Sequence, residues 1–228
     1  MTGTPAAAPI LAVHDIALSF KGVTAIAGLS FSVARGEICA LIGPNGAGKS
    51  SLLNILNGVY RPDSGGIVFE GERFRRLDPL AAARRGIART FQNNALFKKM
   101  SVADNILTGL SRHVRATVLE QALRLPRARR EEQALHRRAE TVLDFLELQP
   151  HRAAVVGSLP YGVQKRVELG RALVSSPTLL LLDEPLAGMN SGEKEEMSEF
   201  IVEINRHFGV TVVLIEHDIG IVMSLSDH

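Results

Sequence analysis

The chain has 228 residues, with 26 basic and 24 acidic side chains and a formal charge of +2, enough for one α/β domain or a core with a helical insert. Charges that nearly cancel give no sign of an electrostatic nucleic-acid binder, and the single Cys39 excludes an internal disulfide framework and a Cys-rich zinc site. No run reaches the roughly 18 apolar residues of a membrane span. The opening residues 1–9 lack the basic start and apolar stretch of a signal peptide, so a cytoplasmic chain is expected.

Residues 10–35 alternate apolar and polar side chains through Leu11, Val13, Leu18, Phe20, Leu29, Phe31 and Val33, with Gly22 and Gly36 as turn signals. This pattern predicts an antiparallel β layer. Next comes Glu37-Ile38-Cys39-Ala40-Leu41-Ile42, with the length and composition of a buried strand. Gly43-Pro44-Asn45-Gly46-Ala47-Gly48-Lys49-Ser50 then fits G-x-x-x-x-G-K-[ST], and Leu52, Ile55 and Leu56 begin a helical spacing just after it. Glycines let several backbone N–H groups converge on an anion, and a helix N-terminus adds partial positive charge. The loop from Gly43 to Ser51 is therefore expected to wrap the phosphates of a nucleoside triphosphate. Lys49 would reach the β- and γ-phosphates, and the Ser50 hydroxyl would ligate Mg²⁺.

A turn at residues 61–66 leads into a strand at 67–71. Over about 100–155 the character changes. Leu135, Ala139, Val142, Leu143 and Leu146 share one helical face, with charged residues on the other. The cluster Arg124, Arg127, Arg129, Arg130, Arg137 and Arg138 interleaves with Glu131, Glu132, Glu140 and Asp144, which favours a solvated helix face over a nucleic-acid site. After 156 come two near-continuous apolar runs, 179–182 and 210–215, which suit strands buried on both faces of a parallel sheet. The first ends in Asp183-Glu184. On a strand beside the phosphate strand, Asp183 would help to hold Mg²⁺ and Glu184 could polarise the attacking water.

Phosphate loop, Leu179-Leu180-Leu181-Leu182-Asp183-Glu184-Pro185, Thr90-Phe91-Gln92 and Leu214-Ile215-Glu216-His217-Asp218 together resemble the ATP-binding subunit of an ABC transporter. Leu159-Pro160-Tyr161-Gly162-Val163-Gln164 is similar to that family's signature segment. The resemblance covers nearly the whole chain. It implies that Phe20 stacks on adenine, that Gln92 touches Mg²⁺ and water, and that His217 contacts the γ-phosphate. It also implies a head-to-tail pair of such subunits, homo- or heterodimeric, in which each ATP lies between one phosphate loop and the other subunit's signature. ATP would bind the two together and hydrolysis would release them. Leu96, Phe97 and Met100 form a short apolar patch where the family docks a permease helix; the alternative is that Phe97 packs under the helical insert.

Two departures stand out. The usual Leu-Ser-Gly-Gly-Gln reads Leu159-Pro160-Tyr161-Gly162-Val163, so Pro160 removes a hydroxyl and an N–H donor while Gly162 remains for close backbone approach. The family usually adds a further strand pair and a closing helix beyond His217, so a truncated C-terminal end is expected. The Tyr-Gly variant, with Gly86-Ile87-Ala88-Arg89 and Ala187-Gly188-Met189-Asn190, resembles the branched-chain amino-acid uptake subfamily. The expectation is a P-loop α/β domain with a mostly parallel core sheet, an antiparallel β layer and a helical insert: core at 1–94 and 161–228, helical subdomain at 95–160. By this resemblance it hydrolyses ATP at the cytoplasmic face of the cell membrane, with integral permease subunits as partners and a periplasmic or extracellular solute-binding protein acting indirectly. The ATPase of a lipopolysaccharide exporter, a soluble ABC ATPase of DNA repair or translation, and a module that holds ATP without cleaving it are the alternatives.

Overall fold

The structure, a computed structural model, describes residues 8–44, 46–75, 77–90 and 95–225, apart from the side chains at 219 and 224. In chain order its elements begin β1 (Leu11–Phe20), β2 (Val23–Val33), β3 (Ile38–Leu41), α1 (Lys49–Leu56), β4 (Ser64–Phe69), β5 (Glu72–Phe74), α2 (Pro79–Arg84) and β6 (Ile87–Arg89). There follow α3 (Val102–Thr108), α4 (Val118–Ala122), α5 (Pro126–Phe145), α6 (Tyr161–Leu173), β7 (Leu179–Asp183), α7 (Ser191–Phe208), β8 (Thr211–Ile215) and α8 (Ile219–Leu225). The chain divides into two compact units. One comprises Met1–Arg89, Thr178–Gly188 and Lys194–His228; the other comprises Thr90–Pro177 and Met189–Glu193.

The first unit holds both sheets. One is antiparallel, ordered β2-β1-β4-β5. Its β1–β2 hairpin turns on Lys21 and Gly22, both at positive φ, the backbone a two-residue turn needs to match the strands' twist. The other sheet is parallel, ordered β3-β8-β7-β6. Its inner strands, β7 and β8, are buried along their whole length, as the near-continuous apolar runs predict. One expectation changes here: β7 is not beside the phosphate strand β3, because β8 lies between them. Helix α1 starts at Lys49, directly from the loop, and buries Leu52, Leu53, Ile55 and Leu56 in the core between the sheets.

The second unit is helical. On α5 the predicted stripe of Ala139, Val142 and Leu143 is buried, and Leu146 just past its end is fully buried. Pro126 opens that helix at its first position, where a missing N–H costs nothing. Close approach of α3 and α6 depends on Gly109, where a side chain would run into the carbonyl of Arg171. Gly170 lies against Leu146, Ile106 and Val142. This packing moves a boundary. The division lies at 177/178 rather than 160/161, because α6 packs with α3 and α5, and the unit opens at Thr90 rather than at 95.

Candidate functional site

Strand β3 delivers the glycine loop, and two of its glycines adopt the left-handed backbone, Gly46 at φ 85° and Gly48 at φ 79°. Gly48 is constrained twice, since a Cβ there would also run into the carbonyl of Ala25 and the side chain of Ile26. It caps α1, so the helix's first amides, which have no intrahelical acceptor, open towards the loop. Lys49 curls back over the same loop: its Nζ donates to the carbonyls of Gly43 at 2.6 Å and Pro44 at 2.9 Å. An ammonium held so close to the loop backbone stands ready for an anion cradled there.

Across the sheet, the Ser50 hydroxyl donates to Asp183 Oδ1 at 3.2 Å. The other oxygen, Asp183 Oδ2, accepts from Arg89 at 2.9 Å, with the two side chains only 2% and 4% exposed. Arg89 also donates to Asn54 Oδ1 on α1 at 2.6 Å. The guanidinium thus fixes which carboxylate oxygen faces Ser50. Hydroxyl and carboxylate oxygens side by side are hard ligands that fit Mg²⁺. Among the described residues no group of three or more His, Cys, Asp or Glu could hold a metal, so water and phosphate oxygens would complete such a shell.

One residue beyond, Glu184 adopts φ 48°, a left-handed backbone uncommon for a residue with a side chain and a recurrent mark of functional positions. Its amide donates to the carbonyl of Ile215 at 3.1 Å, and its Oε1 lies 3.9 Å from His217 Nδ1. Glu184, read from the strand end, and His217, assigned by resemblance, therefore lie near each other. Between them in sequence is Glu216, 2% exposed, whose Oε1 accepts from the amide of Leu186 at 3.0 Å and so braces the loop after Glu184. Burial is the main cause that pushes its carboxyl above the ordinary 4.5; its backbone hydrogen bonds and His217 oppose this, while Glu184 adds to it.

Phe20, at the end of β1, is 43% exposed and meets Tyr60 edge-on at 5.3 Å between ring centroids. This contact leaves much of the Phe20 ring open to a flat partner. In the second unit, Pro160 is the N-cap of α6, and Pro160 and Tyr161 are exposed while Gly162 and Val163 are buried. Gln164 donates through Nε2 to the carbonyl of Leu159 at 2.8 Å, closing the turn into α6. Gly162 also lies close to a residue of its own unit: a Cβ there would sit 2.5 Å from Glu193 Oε1. Glu193 lies 31 residues on in sequence, too far for local reading to pair them.

Phe97 is 53% exposed, which removes it from the core, whereas Leu96 is buried. The loop backbone here is pinned by the fully buried Asn105, which accepts from the Phe97 amide and donates to its carbonyl. Asn45 and Gln92 lie outside the described residues. Sequence reasoning missed Arg89, Asn54, Tyr60 and Glu216. Arg89 and Glu216 carried a local signal, as the residues directly before Thr90-Phe91-Gln92 and before His217; Asn54 and Tyr60 carried none.

The profile of the ABC transporter family matches residues 26–187, which include the loop, the signature and the Asp183–Glu184 strand end. The chain belongs to that family. It is 38% identical over 220 residues to the high-affinity branched-chain amino acid transport ATP-binding protein BraF of Pseudomonas aeruginosa, covering 96% of this chain and 86% of the relative. It is 37% identical over 219 residues to LivG of Escherichia coli, a protein of the same description, with the same coverage. Among solved structures it resembles a nucleotide-free ATP-binding cassette from an ABC transporter, with TM-score 0.83 and 32% identity over 96% of this chain and 86% of that one. The ADP conformation of MJ1267, an ATP-binding cassette of an ABC transporter, matches with TM-score 0.83 and 32% identity over 96% of this chain and 85% of that one. No helix among the described residues is long and apolar enough to cross a membrane.

The raised carboxyl of Glu216 has a testable sign. The folded chain keeps that proton to higher pH than the unfolded chain does, so this group lowers stability as pH rises from about 4.5 through the raised value. Glu216→Gln keeps the acceptor for Leu186 and removes the titration. Denaturant unfolding between about pH 5 and about pH 8 should give a flatter pH dependence and a higher midpoint at the alkaline end. A variant that keeps the wild-type pH slope would contradict this assignment.

Proposed function

We propose that the chain is the ATP-hydrolysing subunit of an importer for branched-chain amino acids or related small amides, working at the cytoplasmic face of the cell membrane. The observation that carries the chemistry is the Ser50–Asp183 pair, set by Arg89, with Glu184 one residue further on. Loop amides from Gly43 to Ser51 and the Lys49 ammonium would hold the phosphates of ATP, and Phe20, backed by Tyr60, would carry the adenine. Ser50 and Asp183, with Gln92, would seat Mg²⁺. Bound there, Mg²⁺ would neutralise charge on the phosphate oxygens as the γ-phosphoryl group leaves. Glu184 accepts the proton of the attacking water, and His217, 3.9 Å from it, holds the γ-phosphate side. The carboxylate sits on a backbone fixed by β8 and the Glu216 brace, so little reorganisation is needed when water arrives.

The signature at Leu159, Pro160, Tyr161, Gly162, Val163 and Gln164 would cover the ATP of a second subunit. With Pro160 lacking both hydroxyl and N–H, exposed Tyr161 and the start of α6 supply that contact. The solute assignment rests on the names of BraF and LivG. Integral permease subunits would dock on the loop around Phe97, with a solute-binding protein acting through them, and no nucleic acid takes part.

Glu184→Gln should leave ATP affinity near the wild-type value and lower turnover by about 10²-fold or more, read by equilibrium nucleotide binding and phosphate release. Hydrolysis at the wild-type rate would remove Glu184 from the role. Phe97→Asp should leave ATP binding and the unfolding midpoint unchanged, because the ring is already more than half exposed. It should abolish copurification with the permease and the stimulation of hydrolysis by leucine-loaded binding protein. Copurification at the wild-type level would move the docking surface elsewhere.

A further inference from the structure

Residues 111–130, which run from just after α3 into the first turns of α5, turn their large aliphatic side chains outward around α4. Helix α4 is defined by polar contacts: Thr117 and Glu120 form a reciprocal capping box, and Gln121 donates to the carbonyl of Ala116. Glu131 on α5 accepts from the amides of Arg115 and Ala116, and Arg127 pairs with Glu120. The apolar side chains face away from this framework. Val118 is 84% exposed, Leu119 69% and Leu123 62%, with Val114 and Leu125 also exposed, and α4 buries none of its residues. An amphipathic surface helix normally turns this face to its own core.

The charge of the segment is as unusual as its hydropathy. Residues 111–130 carry six arginines against one glutamate, a net +5 in a chain whose formal total is +2. Arg115, Arg124, Arg127, Arg129 and Arg130 are all exposed and lie close to the apolar residues in sequence. No aromatic Phe, Tyr or Trp lies among them to stack on a base, which disfavours nucleic acid. The hollow between this segment and α5, about 340 Å³, has mixed walls: Leu107, Leu110 and Leu135 on one hand, Arg124, Arg129 and Glu131 on the other, and Val118, Leu119 and Leu123 are not among them.

We propose that this segment seats directly on an anionic lipid surface, with Val118, Leu119 and Leu123 entering the headgroup region and the exposed arginines nearby pairing with lipid phosphates. Protruding aliphatic side chains with exposed cations nearby are the chemistry of an interfacial anchor, which needs no complementary groove. The contact is independent of the transported solute and of the permease, because lipid alone supplies it.

The test sediments the 228-residue chain with vesicles of phosphatidylcholine alone and with vesicles carrying about a third phosphatidylglycerol, at about 50 mM and about 500 mM salt. Binding should be about tenfold or more tighter to the anionic vesicles and should fall steeply at high salt. Two variants probe the halves separately: Val118→Ser with Leu119→Ser and Leu123→Ser, and Arg124→Glu with Arg130→Glu. Each should lose about tenfold or more in anionic-vesicle binding, with the unfolding midpoint unchanged because all five side chains are exposed. Equal binding to both vesicle types, or variants that bind as the wild type does, would overturn the proposal. Binding that requires permease protein in the vesicle would also overturn it and assign the surface to a protein.

Discussion

Arg89 donates one nitrogen to Asp183 on β7 at 2.9 Å and another to Asn54 on α1 at 2.6 Å, with Arg89 and Asp183 almost wholly buried. In such a place neither charge is tolerable alone; removing one partner of a buried pair costs about 3–5 kcal/mol. The pair therefore ties three elements together: β6, which carries the arginine, the helix that begins at the phosphate loop, and the strand that ends in the acids. It also divides the labour of one carboxylate. Oδ2 is committed to the guanidinium, and Oδ1 is left facing Ser50. Without that orientation the short side chain of Asp183 could turn either oxygen towards the loop.

Around this anchor the site is preorganised through backbone rather than through long side chains. Gly48 is hemmed in by the Ala25 carbonyl, Glu184 takes a left-handed backbone, and Glu216 accepts the Leu186 amide from beneath. Each fixes a direction before any ligand arrives, which is the condition under which an aligned dipole or base acts without reorganising. Burying Glu216 raises its carboxyl, a cost set against a rigid loop behind the two acids. The helical unit works the other way. Its core is tight at Gly109 and Gly170, yet its basic, apolar outer segment is presented to whatever lies outside.

Local pattern carried much of this architecture. The glycine loop, the buried runs at 179–182 and 210–215, and the apolar stripe of α5 are periodic or motif features; the structure forms the runs as β7 and β8, buries the stripe on α5, and starts α1 at the loop's Lys49. What local pattern does not hold is which element meets which. Arg89 and Asp183 are 94 positions apart, and nothing near either residue names the other. The insertion of β8 between β3 and β7 is likewise a matter of sheet order, which a list of strands leaves open. Position in sequence alone groups the signature helix with the second half of the core, but α6 packs on α3 and α5 and belongs with them. The nearness of Glu193 to Gly162 is of the same kind, since the two are 31 positions apart.

The account stands on Ser50 and Asp183 as a metal seat beside a phosphate loop. Equilibrium ATP binding, measured with about 5 mM Mg²⁺ and again with a chelator, tests this most directly. For the wild type, Mg²⁺ should tighten ATP by about tenfold or more, and Ser50→Ala should lose most of that gain while still binding metal-free ATP. Asp183→Asn should do the same under conditions where its unfolding curve shows it folded despite the lost ion pair with Arg89. Variants that keep the full Mg²⁺ dependence would contradict the account.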